Sequence, residues 1–127
     1  MAHCVISHPS IGGYAYRLCK VPAAGISGVT EQCFQNGHLN FDGPYTWVTN
    51  SARGTNFVQE AAVRTTDVNG SQWTKINIPR AGDAEWFWKD RVQVPQSLET
   101  GPYVLSFRWD CQNTPQVWNS CANIEIV

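Results

Sequence analysis

Residues 103–110 constrain the fold more than any other stretch of this chain. Tyr103, Leu105, Phe107 and Trp109 alternate with Val104, Ser106, Arg108 and Asp110. That is the period-two repeat of a strand with one apolar face and one more polar face. A strand of this kind is stable only when other strands pair with its backbone and a second layer covers its apolar face. The partners are legible too. Residues 121–127 alternate with Ala122, Ile124 and Ile126 inward, and residues 45–50, 57–64 and 72–78 read as further strands. Val92 and Val94 end another strand before Pro95, and residues 3–7 form a short first strand stopped by Pro9. Gly and Pro clusters separate these segments at Gly12-Gly13, residues 22–28, Gly43-Pro44, Asn69-Gly70, Ala81-Gly82 and Gly101-Pro102. Asn69-Gly70 is the signal of a two-residue hairpin turn. No segment carries a helical apolar stripe over three turns. The expectation is one domain over residues 1–127, an all-β, immunoglobulin-like antiparallel β-sandwich with long loops and disulfides.

Charge and cysteine usage narrow the setting. The 127 residues hold 9 Lys+Arg against 10 Asp+Glu, a formal net charge of -1, so no basic excess exists to neutralise phosphates and nucleic acid is not an expected partner. No apolar run approaches the ~20 residues of a membrane-spanning helix. Five cysteines, at 4, 19, 33, 111 and 121, include no C-x-x-C pair, which leaves zinc-ribbon and thioredoxin readings without support. Their spread suits disulfides in an oxidising, extracellular compartment, and Asn69-Gly70-Ser71 is a glycosylation sequon placing a glycan on Asn69. Residues 19–40 are the least regular and read as a long loop closed by Cys19 and Cys33. Cys111 and Cys121 flank a short excursion between two strands and form the second expected pair. Cys4 is then left over, either as a buried thiol or as a link to a like subunit in a homo-oligomer.

Charged residues make up only 15% of the chain while 6 residues are Trp, a balance suited to burial, interfaces or sugar stacking. Trp86 and Trp88 share one face of a strand and are the expected aromatic strip for carbohydrate. Asp83, Glu85 and Asp90 cluster nearby, with nothing to fix a paired-carboxylate spacing across a cleft.

Two segments resemble a known family. The first is His3-Cys4-Val5-Ile6-Ser7-His8-Pro9-Ser10. The second runs from Val94 to Leu105 and resumes at Gln116-Val117-Trp118-Asn119-Ser120-Cys121. Both are similar to lytic polysaccharide monooxygenases: the mature N-terminal His with a Pro six residues on, then the late hairpin with its Gln-x-aromatic-x-x-Cys ending. The resemblance implies a β-sandwich core and a copper held by a histidine brace. His3 falls on the brace position, Gln116 on the neighbouring Gln and Trp118 on the axial aromatic position. His38 is the candidate for the second brace His. Met1-Ala2 stand ahead of His3, and an amide nitrogen is a poor copper ligand, so the expected metal site is incomplete and the cofactor is none, or copper if the brace is intact.

These readings define an extracellular domain that keeps the monooxygenase scaffold, is non-catalytic, and binds polysaccharide or contributes to an assembly of like subunits. The alternatives are an active copper-dependent polysaccharide monooxygenase and a structural subunit of an extracellular filament or wall.

Overall fold

The computed structural model describes residues 12–50, 56–75, 86–111 and 117–127. Within them the chain forms β1 (Gly12–Lys20), a 3-10 turn (Ile26–Gly28), α1 (Glu31–Asn36), β2 (Tyr45–Asn50), β3 (Val58–Ala61), β4 (Val63–Thr66), β5 (Gln72–Lys75), β6 (Trp86–Lys89), β7 (Gly101–Cys111) and β8 (Val117–Ile126). Two antiparallel sheets result, one of five strands in the order β4-β5-β1-β7-β8 and one of three in the order β3-β2-β6. The protein is an all-β sandwich.

The alternation read in residues 103–110 is the alternation of β7. Its register against β1 pairs Leu18 with Leu105, Tyr16 with Phe107 and Tyr14 with Trp109, so these side chains share one face. That face is the core side. Tyr14 and Phe41 gather Tyr16, Trp88, Val92, Phe107 and Trp109, and Leu18, Leu39 and Tyr103 gather Leu98, Leu105, Ile124 and Ile126. The aromatic rings of Tyr14, Tyr16, Phe41 and Phe107 lie 5.4–6.1 Å apart, mostly edge to face, the arrangement their quadrupoles favour. The two tyrosine hydroxyls both donate to Asp90 at 3.0 Å, which gives the inner ends of these rings a polar partner. Trp109 is half-buried rather than fully enclosed, and its indole N–H is buried without an acceptor among the described residues.

β1, the central strand, is absent from the sequence expectations, and residues 19–40 are not the plain loop expected there. The opposite face of β1 carries Ala15, Arg17 and Cys19, all buried. Their cover is α1, whose Phe34 packs with Cys19 and Val104. Thr30 caps α1 by accepting from the Cys33 amide at 3.2 Å. The expected Cys19–Cys33 disulfide is present, with Cα atoms 5.5 Å apart, and it fastens α1 to β1. After α1 the chain returns alongside β1: Leu18 donates to Gly37 O at 2.8 Å and Leu39 to Tyr16 O at 2.9 Å. A Cβ on Gly37 would stand 1.8 Å from the Leu18 carbonyl oxygen, so only glycine permits this approach.

Three further expectations are corrected. Residues 57–64 do not make one strand. The chain pairs with β2 up to Ala61 and with β5 from Val63, crossing between sheets at Ala62, whose amide donates to Pro44 O at 2.8 Å. Asn69-Gly70 is not a two-residue turn. It ends a three-residue loop bracketed by Asp67 and Ser71, with Gly70 at φ 83°; a turn followed by a left-handed residue is the usual geometry for that length. Cys111 and Cys121 are not bonded. Cys121 is a free, exposed thiol. Its partner in β7 is Ser106, five residues along the strand from Cys111, or about 17 Å, far beyond the ~7 Å limit for a disulfide. Residues 3–7, with His3 and Cys4, lie outside the described residues.

Candidate functional site

The outer face of the five-stranded sheet, opposite the core, carries the strongest concentration of polar side chains. β1 supplies Arg17 and β7 supplies Arg108 and Asp110. The returning chain after α1 lays His38 beside Arg17. α1 forms one wall through Gln32, Gln35 and Asn36, and the β4–β5 hairpin forms the other through Asp67, Asn69, Ser71 and Trp73. The cavity they enclose holds about 640 Å³, within the size range of small-ligand sites.

Arg17 is the pivot of this site. It is 1% exposed, so its charge must be met inside the protein. Glu31, the first residue of α1, accepts from Nη1 at 2.5 Å and from Nη2 at 3.2 Å. Nη2 also donates to Ser106 Oγ at 3.1 Å and Asn119 Oδ1 at 3.3 Å, while the guanidinium lies 5.1 Å over the Phe34 ring. Glu31 is shared: Arg108 Nη1 donates to it at 2.8 Å. Arg108 is held by Asp110 as well, at 2.7 and 3.2 Å, and that bond raises its pKa further. The Arg17 hydrogen bond, aided by the charges of both arginines, holds the Glu31 carboxyl below its ordinary range.

The hairpin wall is equally well ordered. Asp67 Oδ1 accepts from the amides of Asn69 at 2.8 Å and Ser71 at 3.0 Å, and Oδ2 accepts from Trp73 Nε1 at 3.0 Å. Although partial desolvation opposes it, these bonds keep Asp67 ionised to lower pH than usual. Trp73 is thereby fixed at one edge, with His38 6.0 Å from its ring and Arg108 6.0 Å over it.

His38 is the only candidate brace residue whose side chain is described. Burial, then the positive charge of Arg17, push its imidazole pKa down, and its Nδ1 is buried without a partner among the described residues. His3 and Gln116 lie outside the described residues. Trp118 is placed by its backbone in β8, opposite Trp109. No group of three His, Cys, Asp or Glu able to hold a metal ion occurs among the described residues.

Trp88 faces the core beside Tyr14 and Phe41, and only the backbone of Trp86 is described. Asp90 accepts from the hydroxyls of Tyr14 and Tyr16, and Asp83 and Glu85 lie outside the described residues. The sequon residue Asn69 is exposed at the rim of the polar cavity. The aromatic group that does sit in a cavity is Trp73, which carried no special signal beyond membership of residues 72–78.

Compared with family models, with curated proteins and with solved structures, the chain has no match. No described helix is long and apolar enough to cross a membrane.

Proposed function

We propose that this chain is a non-catalytic extracellular sandwich domain that binds neutral polysaccharide in the cavity between α1 and the β4–β5 hairpin. The observation that carries this reading is the lining itself. Amides (Gln32, Gln35, Asn36), paired guanidinium and carboxylate groups, and one indole converge on a single cavity. Sugars present vicinal hydroxyls that both donate and accept, and flat C–H faces that stack on aromatic rings. The charges support a neutral ligand: Arg17 and Arg108 are matched by Glu31, Asp67 and Asp110, so no net positive field remains for an anionic polymer. The fixed hairpin and the Arg17–Glu31–Arg108 network keep the site formed before binding, which lowers the ordering cost. The Cys19–Cys33 bond and the Asn69 sequon support an oxidising, secretory setting.

Co-sedimentation with insoluble cellulose, chitin and xylan tests the proposal. The expected result is retention on at least one polymer, insensitive to salt and lost in Trp73→Ala with the fold intact. Retention on none of a broad panel, or retention undiminished by Trp73→Ala, contradicts it. Cleavage of the polymer with copper and a reductant supports the monooxygenase alternative instead.

A further inference from the structure

We propose that β8 is a self-association edge, on which two copies of this chain pair about a two-fold axis through Cys121. This inference is independent of the sugar reading. β8 ends the five-stranded sheet and has no second neighbour among the described residues. It is ten residues long, whereas the other sheet-end strands β3, β4 and β6 have four each. Natural sheet edges are usually blunted by Pro, Lys, a bulge or brevity. β8 has none of these: its sequence VWNSCANIEI contains one charge, Glu125.

The occupant is identified by the sequence of the strand. Residues 119–123 read Asn-Ser-Cys-Ala-Asn, near-symmetric about Cys121. In an antiparallel two-fold pair, the residue on the axis faces its own copy. Centring on Cys121 sets Asn119 against Asn123, where two side-chain amides can bond to each other, and Ser120 against Ala122. Glu125 faces Val117 of the second copy, so no like charges oppose one another. A centre near either end of the strand would leave much of the ladder unpaired. Cys121 is also exposed and free, which is what a thiol needs to meet its twin across the axis. Directly opposed antiparallel residues have Cα atoms about 4.5–5.5 Å apart, within disulfide reach.

Bond formation there is a thiol–disulfide exchange. Two Cys121 thiols give up two protons and two electrons to a small-molecule disulfide, which is reduced to two thiols while the Cys121–Cys121 bond forms. The axis stands perpendicular to the sheet, so the outer faces of both copies, and with them both polar cavities, lie on the same side of one ten-stranded sheet.

The test uses the full chain. Incubated with oxidised glutathione, it is expected to give a covalent dimer whose linking peptide joins Cys121 to Cys121, and Cys121→Ser is expected to give none. A chain that remains monomeric, with Cys121 as free thiol or glutathione adduct, overturns the proposal; so does a dimer linked through another cysteine. The register is checked under reducing conditions with Cys121→Lys and Cys121→Glu, both at an exposed position. Each alone places like charges on the axis, and their equimolar mixture places opposite ones. Sedimentation is expected to show association at least roughly tenfold tighter in the mixture than in either component. A mixture no more associated than its components overturns the pairing about Cys121.

Discussion

Glu31→Gln is expected to destabilise the fold far more than its half-exposed position suggests. Exposed ion pairs are worth about 0–1 kcal/mol, and Glu31 is 46% exposed. Its partner is not: Arg17 is 1% exposed. Removing the carboxylate charge leaves a buried guanidinium with only the neutral acceptors Ser106 and Asn119. Breaking a fully buried pair from one side costs about 3–5 kcal/mol. Solvent at the Glu31 end reduces this, and we expect about 2 kcal/mol, of which the lost charge at the α1 N-terminus accounts for no more than ~0.5 kcal/mol. Arg17→Met fills much of the same volume without a charge and leaves Glu31 free to meet water, so its cost is expected near 1 kcal/mol. Once Arg17 is Met, adding Glu31→Gln should cost ~0.5 kcal/mol or less, because the charge it stranded is gone. Urea unfolding of the wild type, both single variants and the double variant measures all four corners. A Glu31→Gln cost below ~0.5 kcal/mol, or strictly additive variants, refutes the claim that Arg17 depends on this carboxylate.

Trp109→Ala should cost about 3 kcal/mol by chemical denaturation, the low end for a core aromatic because the ring is half-buried; a cost under ~1 kcal/mol would place it outside the packed core. Replacing Cys19 and Cys33 together with Ser opens a loop closed across a sequence separation of 14 and should cost about 3 kcal/mol, read as a lower urea midpoint with loss of α1 protection in amide exchange. Stability should also fall on acidification in two steps. The folded pKa of His38 is depressed, so the unfolded chain binds the extra proton first and stability declines below about pH 6.5. The folded pKa of Glu31 is depressed too, so its contribution is present above about pH 4.5 and is lost as pH falls through its folded value. Thermal melts of wild type and His38→Gln should therefore diverge between neutral pH and pH 5, and parallel curves would show that His38 is not held neutral.

How legible these features were in the sequence follows from which faces water touches. β7 has a core face and a polar face, so its alternation is plain. β1 alternates as well, but Ala15, Arg17 and Cys19 are buried under α1, and the Gly12-Gly13 pair ahead of it reads as a turn. α1 is six residues long, too short for a periodic stripe, and announces itself only through Thr30 as a cap with Glu31 beside it. The Cys111–Cys121 expectation failed because spacing along the chain carries no register: β8 starts with Val117 opposite Asp110, and that register carries Cys121 back to Ser106. The polar cavity was invisible for a related reason. Its residues come from β1, α1, the β4–β5 hairpin and β7, and only pairing brings them together. One clue was present in Arg17 itself, a charge in the midst of Tyr14, Tyr16 and Leu18, which requires a buried partner from somewhere else in the chain.

The central claim is that the cavity between α1 and the β4–β5 hairpin is a binding site for neutral sugar. Amide and indole chemical-shift mapping during titration with soluble oligosaccharides of cellulose, chitin and xylan tests it most directly. The account predicts that one series perturbs Trp73 Nε1–H, the side-chain amides of Gln32, Gln35 and Asn36, and the backbone of residues 67–71, with the core signals of β2 and β6 unmoved. Perturbations confined to other surfaces, or none with any of the three series at millimolar ligand, would contradict it.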